Sequence, residues 1–444
     1  MPVPEPPNVL YVHSHDTGRY VQPYGHAIPT PNLQRLAEQG VLFRQCFAVG
    51  PTCSPSRAGL LTGQWAHSCG QFGLAHRGFE LEHPERHLAW ALRQAGYSTT
   101  LLGIQHVVRD PSRTGYEHVA AGGPGRGRAE HVTPAAVDFL RRRPPRPFFL
   151  DAGFFETHRQ EARFHPADPA LSPAEDARYC LPPAPLPDTP ETRADVAEFK
   201  ASARVLDQSI GQILDALDAA GLAQNTLVIC TTDHGIAFPD MKCNLTDHGI
   251  GVMLIVRGPG GFTGGQVVDA MVSQIDLFPT ICDLAGLERP RWLQGASLLP
   301  LVRGEVEALH DEIFAEVNYH VPYEPQRAVR TRRWKYIRRY DDQHGYRRPM
   351  LANCDDGFSK SLWVDSGWGT REVASEQLYD LVFDPLERHN VAGEPALAAV
   401  LDDLRARLDR WMAETGDPLL RGPIPVPPGA LVGDPAALSP SESR

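Results

Sequence analysis

The sequence lacks several features that would assign it to particular classes of protein. It contains no apolar run long enough to cross a bilayer, and residues 1–7 have neither the basic start nor the apolar core of a secretory signal. It also lacks a basic excess, because 43 Lys and Arg stand against 54 Asp and Glu for a net charge of -11. These absences predict a cytoplasmic protein with no membrane partner and no nucleic-acid partner.

Patterned cysteines and internal repeats are missing as well. The eight cysteines do not have the paired spacing of a metal finger, and in a reducing compartment they are expected to be thiols. What remains is the composition of an ordinary globular protein, with 42% hydrophobic and 22% charged residues over 444 positions. A chain of that length is sufficient for a large core and two or three domains.

Two strand-like apolar runs, ending at Ser14 and Thr232, are each followed by a pair of potential metal ligands. Open α/β sheets bind their ligands at the carboxyl ends of strands, and imidazole together with carboxylate suits a divalent cation. For the first pair alone, a hydrogen-bonded turn is the alternative interpretation. The two pairs are His15-Asp16 and Asp233-His234.

A cysteine lies at the start of a predicted helix. Ser54 is a good N-cap and Pro55 suits the first helical position, which would place Cys53 just outside the helix. The helix dipole and Arg57, one turn further on, would favour a bound anion or a lowered thiol pKa at Cys53. A small buried cysteine with no chemical role is the alternative.

The string Cys53-Ser54-Pro55-Ser56-Arg57, followed by Leu61-Thr62-Gly63, resembles the signature of the type I sulfatases of the alkaline phosphatase superfamily. The resemblance covers residues 7–412. It implies that a formylglycine-generating enzyme oxidises Cys53 to formylglycine. It also implies an α/β fold with a large mixed sheet flanked by helices, followed by a smaller C-terminal antiparallel sheet with one helix. The implied activity is hydrolysis of a sulfate ester or sulfamate.

The same resemblance implies one divalent metal, held by the two ligand pairs and by residue 53 as formylglycine. The family reads Asp-Asp where this chain has His15-Asp16. Calcium is the ion that the family implies, but the imidazole of His15 leaves manganese, magnesium and zinc as alternatives. The implied metal ligands are His15, Asp16, Cys53, Asp233 and His234.

Further catalytic roles follow from the resemblance. Arg57 and Lys242 would offset the charge on the sulfuryl group, and Lys242 would also contact the substrate. His158 would protonate the leaving group, and His106 would take a proton from the hydrated formylglycine. The family motif Gly-Lys-x-His ends at His106, but Ile104 replaces its lysine. Either another cation supplies that charge, or sulfate is held more weakly.

A narrower resemblance concerns the loop from His67 to His76, which is similar to that of the heparan N-sulfatase branch. It implies that both histidines line the substrate pocket and that the substrate is a small anionic sulfated sugar such as N-sulfated glucosamine. Three other hypotheses stay open: a phosphonate monoester or phosphodiester hydrolase of the same superfamily, a catalytically silent metal-binding protein, and an enzyme that uses unmodified Cys53 as a thiolate nucleophile. The sequence is also compatible with a homo-oligomer.

Changes in composition and in the pattern of predicted elements divide the chain into three parts. Residues 1–309 form the catalytic α/β domain, and residues 310–421 form an α+β subdomain with short alternating strands and a final helix. Residues 422–444 are rich in proline, which is typical of a loosely ordered tail.

Overall fold

Continuous apolar runs form the centre of the fold because one large sheet is covered on both faces. The computed structural model describes residues 5–120, 127–164, 175–340 and 347–443. The strands in these ranges are β1 Asn8–Ser14, β2 Val41–Phe47, β3 Ser98–Gly103, β4 His118–Ala120, β5 Phe148–Gly153, β6 Arg159–Gln160, β7 Arg163–Phe164, β8 Thr226–Thr232, β9 Gly251–Val252, β10 Leu254–Arg257, β11 Gln266–Ser273, β12 Glu312–Tyr319, β13 Tyr323–Thr331, β14 Trp334–Arg339 and β15 Glu376–Asp380.

The α-helices in the same ranges lie on both faces of the large sheet and over the small one. They are α1 Pro31–Gln39, α2 Cys53–Thr62, α3 Leu88–Gln94, α4 Ala129–Arg141, α5 Pro190–Ala219, α6 Asp247–Ile250, α7 Leu277–Ala285, α8 Leu299–Val302, α9 Phe358–Asp365 and α10 Ala398–Thr415.

Strand β1 lies inside the large sheet, whose order is β11-β2-β10-β8-β1-β5-β3-β4 with β9 paired to β2. It runs parallel to β5, where Tyr11 is opposite Asp151, and parallel to β8, where Ser14 is opposite Thr232. Strand β10 is antiparallel to β8 and to β2, which makes the sheet mixed. The residues that follow β1 and β8 therefore meet at one edge of the sheet.

Alternate residues of β1 point into two different cores. Val9 and Tyr11 face the core that contains side chains of α2, α3 and α7, whereas Leu10 and Val12 face the core formed with α1, α4 and α5. Burial on both faces explains why β1 and β8 read as unbroken apolar runs. His13 continues the face of Tyr11, and the two rings stack with centroids 4.6 Å apart.

The second sheet is antiparallel in the order β12-β13-β14-β15, and α10 packs on it. The short strands and the final helix that the sequence predicts for this part of the chain are present. The sheet packs closely against the large domain. The backbone N–H of Glu316 donates to the Val49 carbonyl at 2.9 Å, and a Cβ added at Gly50 would lie 2.6 Å from the backbone carbonyl oxygen of Glu316. The division at residues 309/310 stays a prediction.

The proline-rich tail packs against the rest of the protein, contrary to the expectation of loose order. Ile424 is buried in a small cluster with Phe79 and Tyr319, and the Leu431 N–H donates to the Arg77 carbonyl at 2.7 Å. The tail therefore contributes apolar burial of its own.

All eight cysteines are buried and free, as expected for thiols. Among the described residues, the structure contains no helix that combines the length and apolar character needed to span a bilayer.

His310 gives the protein a pH-dependent contact. Its Nε2 lies 2.8 Å from Oδ2 of buried Asp276, and its own side chain is 21% exposed. Burial lowers the pKa of His310, but the hydrogen bond and charge of Asp276 outweigh burial and leave the pKa raised. The contribution is therefore complete below the unfolded pKa of about 6.5 and is lost as pH rises through the folded pKa.

We predict that wild-type protein loses about 1 kcal/mol of stability relative to His310→Gln as pH rises from about 6 to 9. Urea unfolding across this pH range measures the difference. His118→Gln, at an exposed position of β4, is the control and should show no such trend. A pH-independent difference between wild type and His310→Gln would contradict the prediction.

Candidate active site

Five side chains from three separate segments meet at the carboxyl ends of β1 and β8. All are buried, and one potential ligand atom from each lies within 4.8 Å of those of the others. The parallel register of β1 with β8 brings together the residues that follow these strands, and the start of α2 supplies the fifth side chain. The five are His15, Asp16, Cys53, Asp233 and His234.

Both imidazoles face the two carboxylates. His15 Nδ1 lies 2.9 Å from Asp16 Oδ1 and 3.3 Å from Asp233 Oδ2. His234 Nε2 lies 3.2 Å from Asp16 Oδ1 and 3.3 Å from Cys53 Sγ. Burial lowers the pKa of His15 to about 3, so its ring is neutral at physiological pH. A neutral imidazole is the form that binds a metal.

The two oxygens of Asp233 have different partners. Oδ1 accepts the backbone N–H groups of Asp16 at 2.9 Å and His234 at 3.0 Å. Oδ2 is buried and accepts no hydrogen bond, although Arg57 Nη2 lies 3.0 Å away as an ion-pair partner. A buried carboxylate oxygen without a hydrogen bond, beside the imidazoles of His15 and His234, fits a cation ligand.

The backbone at this edge of the sheet is strained. Asp16 and His106 both have φ of 56°, in the left-handed region that residues other than glycine seldom adopt. Such conformations persist where the surrounding structure holds them, and they cluster at functional sites.

Helix α2 begins earlier than the sequence predicted. Thr52 is the N-cap and Cys53 is the first helical residue, because the Ser56 N–H donates to the Thr52 carbonyl at 3.0 Å. The prediction of Ser54 as N-cap is wrong, since its hydroxyl instead accepts the Ala75 N–H at 2.9 Å. Cys53 still lies in the first turn of the helix.

The expected lowering of the Cys53 pKa is also wrong. Burial raises the pKa of this thiol well above its usual value, and the charges of Asp16 and Asp233 act in the same direction. The opposing charges of Lys242 and Arg57 are not sufficient to reverse the shift. An unmodified Cys53 is therefore a protonated thiol near neutral pH.

Arg57 is fixed behind the cluster and is only 2% exposed. Its Nη1 donates to His13 Nδ1 at 2.5 Å, and its Nη2 donates to the Ser14 carbonyl at 2.9 Å while lying beside Asp233. Its Nε is buried without a hydrogen-bond partner. The guanidinium thus brings positive charge to the cluster in a single orientation.

Lys242 lies between two carboxylates, one of which the sequence did not identify. Its Nζ is 2.8 Å from Asp16 Oδ2 and 2.8 Å from Asp355 Oδ2. The nearby His320 is buried, its Nδ1 has no hydrogen-bond partner, and its pKa is lowered well below the usual value by burial and by the charge of Lys242. Asp355 and His320 come from the C-terminal part, so both parts of the chain build the site. The adjacent acids Asp355-Asp356 were the one signal in the sequence.

Three further histidines continue the site from His15. The ring of His158 meets the ring of His15 edge-on at 4.4 Å, and its Nε2 lies 3.8 Å from Asp16 Oδ2. His106 Nε2 lies 2.9 Å from Nδ1 of exposed His76, and these two rings stack 5.1 Å apart. Burial and the charge of His76 lower the pKa of His106.

His67 lies elsewhere, and its predicted place in the substrate pocket is wrong. Its side chain is 1% exposed, its Nδ1 lies 2.8 Å from Glu316 Oε1, and its ring packs edge-on against Trp411. Ile104, in the place of the family lysine, lies against Gly127, where an added Cβ would be 2.9 Å from Ile104 Cγ1. Neither side chain brings a charge to the cluster.

Comparison with known proteins assigns the family. The family described as sulfatase matches residues 7–287, and the family described as N-sulphoglucosamine sulphohydrolase, C-terminal, matches residues 238–351. The chain belongs to the sulfatase family. Human N-sulphoglucosamine sulphohydrolase is 32% identical over 94% of this chain and 92% of its own length. Sulfatases of this kind hydrolyse sulfate esters and sulfamates, so the predicted enzyme class is confirmed.

Solved structures show the same fold. A protein named BT4656, solved with its substrate D-glucosamine-2-N,6-O-disulfate, superposes with a TM-score of 0.73 at 20% identity, covering 94% of this chain and 99% of that one. The phosphonate monoester hydrolase of Agrobacterium radiobacter gives a TM-score of 0.70 at 23% identity, covering 92% and 96%. The predicted alkaline-phosphatase-like architecture is confirmed.

His67→Leu and His76→Leu separate structural packing from substrate contact. We predict that His67→Leu lowers the free energy of unfolding by about 2 kcal/mol, because it removes the side-chain hydrogen bond to buried Glu316, whose Oε1 then keeps only the backbone N–H of residue 67. The folded fraction of this variant should keep its KM. His76→Leu, at an exposed position, should change stability by less than about 0.5 kcal/mol but raise KM. Thermal melts measure the stability of each variant, and steady-state kinetics measure its KM. A raised KM in His67→Leu, with an unchanged KM in His76→Leu, would contradict the assignment of the two histidines.

Proposed function

We propose that this sulfatase removes the sulfo group from a small sulfated sugar, with N-sulfated glucosamine as the preferred substrate, and that it uses formylglycine derived from Cys53 and one divalent metal. One observation carries the proposal: Cys53 lies in the first turn of α2, with its Sγ 3.3 Å from His234 and 4.0 Å from His15 inside the buried ligand cluster. The similarity to the human N-sulphoglucosamine sulphohydrolase over almost the whole chain supports a sulfamate, rather than a sulfate ester, as the substrate.

The metal would be held by the two imidazoles, the two carboxylates and the oxygen of converted residue 53. When bound, the ion supplies positive charge that favours the ionised hydroxyl of that residue. Calcium takes oxygen ligands, as manganese and magnesium mostly do, whereas imidazole suits zinc. The nitrogen of His15 therefore favours zinc over the calcium that the family resemblance implies.

After conversion and hydration, residue 53 would supply a hydroxyl oxygen that bonds to sulfur as the bond from sulfur to the leaving nitrogen or oxygen breaks. Loss of the proton from its second hydroxyl would then break the bond between the residue's carbon and the sulfated oxygen, which releases sulfate and restores the aldehyde. Arg57 and Lys242 offset the negative charge that develops on the sulfuryl oxygens, in a site that excludes water. Both are held by carboxylates in the cluster, Arg57 by Asp233 and Lys242 by Asp16. Neither cation needs to reorganise during the reaction.

The histidines move protons at defined nitrogens. His158 Nδ1 donates its hydrogen to the Arg159 carbonyl, which only accepts, so Nε2 is the nitrogen that gains and loses a proton. The doubly protonated ring would give the proton on Nε2 to the leaving nitrogen or oxygen. When His106 donates Nε2–H to His76, its buried Nδ1, which has no other partner, is the basic nitrogen that takes a proton from the second hydroxyl. His76 thereby orients His106 in addition to contacting substrate.

The raised pKa of Cys53 weighs against an unmodified thiolate nucleophile. Maturation would require a formylglycine-generating enzyme. The cytoplasmic location and a homo-oligomer stay predictions from the sequence.

Sulfate release from N-sulfoglucosamine tests the proposal. We expect turnover of this compound to exceed that of 6-O-sulfated glucosamine and of an aryl phosphodiester. Cys53→Ala should lose roughly 1,000-fold or more in kcat, because the nucleophile is absent, while Cys282→Ala in α7 should retain activity. Peptide mass spectrometry reports the conversion of Cys53. Absence of turnover with N-sulfoglucosamine would refute the substrate, and faster phosphodiester hydrolysis would favour the phosphonate hydrolase alternative.

His15→Asp tests the choice of metal. The change replaces a nitrogen ligand by a carboxylate, so we predict that calcium affinity rises by about tenfold or more and that zinc affinity falls. Titration calorimetry on protein stripped with a chelator measures both. His15→Gln is the matched neutral control, and it should weaken the binding of both ions. Wild-type protein that prefers calcium to zinc would contradict the assignment.

A further inference from the structure

A buried row of polar groups lies behind Arg57 and has no part in the chemistry described above. It leads from Arg57 through His13 and Asp151 to Tyr116. The exposed fractions of these residues are 2%, 2%, 0% and 3% respectively. Burying so many polar groups costs stability unless each is hydrogen-bonded, and here each is bonded to the next.

Hydrogen-bond chemistry fixes the direction of every bond in the row. Arginine only donates, so Nδ1 of His13 must accept from Arg57 Nη1 at 2.5 Å. Nε2 of His13 then carries the hydrogen and donates to Asp151 Oδ1 at 2.8 Å. The Tyr116 hydroxyl donates to Asp151 Oδ2 at 2.5 Å. His13 is thus held as one tautomer with both ring nitrogens in use.

The row is attached to two central strands of the large sheet. His13 lies on β1 and Asp151 on the neighbouring strand β5, within a parallel register that pairs Tyr11 with Asp151. Tyr11 also stacks on the His13 ring. The position of the acceptor for Arg57 is therefore set by two adjacent strands of the large sheet and not by a loop.

The bond to His13 has a consequence for Asp233. An arginine beside a buried carboxylate would normally form two parallel hydrogen bonds with it. Here Nη1 is used by His13 and Nη2 donates to the Ser14 carbonyl, and Asp233 Oδ2 accepts no hydrogen bond although Nη2 is 3.0 Å away. That oxygen stays available to a cation.

We propose that His13, Asp151 and Tyr116 are positioning residues for Arg57. They hold its guanidinium so that its charge stays at the reaction centre while Asp233 Oδ2 remains a ligand, and Asp151 balances the guanidinium charge from the side away from Asp233. The inference rests on the proposed function in one respect, namely that Arg57 offsets charge on the sulfuryl group.

Substitutions of His13 dissect the row. His13→Leu removes both bonds and should lower kcat by about 30-fold with KM changed by less than about threefold, because the lost interaction acts in the transition state. His13→Asn places an acceptor where Nδ1 was and should recover most of the loss. His13→Gln keeps only a donor to Asp151 and no acceptor for Arg57, so it should not recover kcat. Tyr116→Phe should lower kcat by about threefold. Tyr97→Phe, which removes a buried hydroxyl bonded to the Pro7 carbonyl, is the control and should keep wild-type kcat.

A double-mutant cycle with Arg57→Lys distinguishes positioning from general packing. If His13 acts through Arg57, His13→Leu should cost less than about threefold in the Arg57→Lys background. Independent, multiplying losses would overturn the proposal, as would wild-type kcat in His13→Leu. A crystal structure of His13→Leu gives a test that needs no turnover: Arg57 should rotate to bond Asp233 Oδ2, and an unmoved guanidinium would overturn the proposal. Failure of wild-type enzyme to release sulfate would instead refute the proposed function.

Discussion

The arrangement of the active site depends on two buried carboxylates, Asp16 and Asp233. Neither side chain is exposed to water, and the charges of Lys242 and Arg57 hold their pKa values low against the opposing effect of burial. Two negative charges in such an environment cost several kcal/mol each unless positive groups compensate them. The parallel pairing of β1 with β8, the placement of Arg57 one turn into α2 and the burial of Lys242 all meet that requirement.

The same requirement explains why the C-terminal sheet belongs to the active site. Lys242 is shared between Asp16 and Asp355, so the second carboxylate holds the amine at the cluster from the far side. A second buried ion cluster fixes the C-terminal part in place: Arg327 contacts Asp417 Oδ2 at 2.6 Å and Glu316, which in turn binds His67. Charges that are fully paired in this way specify one arrangement, because removal of either partner leaves an unpaired charge. The site is thus formed by two sheets whose relative position is fixed by buried ions.

The sequence predicted those parts of the fold and site whose signals are local. Strands β1 and β8 end at the predicted residues, and the ligand pairs that follow them meet because parallel neighbours end at the same edge. Features that depend on tertiary burial were missed or wrong. The thiol of Cys53 has a raised pKa because burial outweighs the helix dipole and Arg57, and His67 is packed against Trp411 although its loop is rich in glycine. Asp355 lies 113 residues after Lys242 in the chain, and no spacing rule connects them.

The two departures from the family pattern compensate each other in charge. His15 stands where the family has a carboxylate, and its burial keeps the ring neutral, so the site has one negative charge fewer. Ile104 stands where the family has a lysine, so the site also has one positive charge fewer. The net charge of the cluster is therefore the same as in the pattern that the family signature implies. Loss of the carboxylate alone or of the lysine alone would instead change the charge of the site by one unit. Because uncompensated charge is costly in a buried site, the two changes together disturb it less than either one alone.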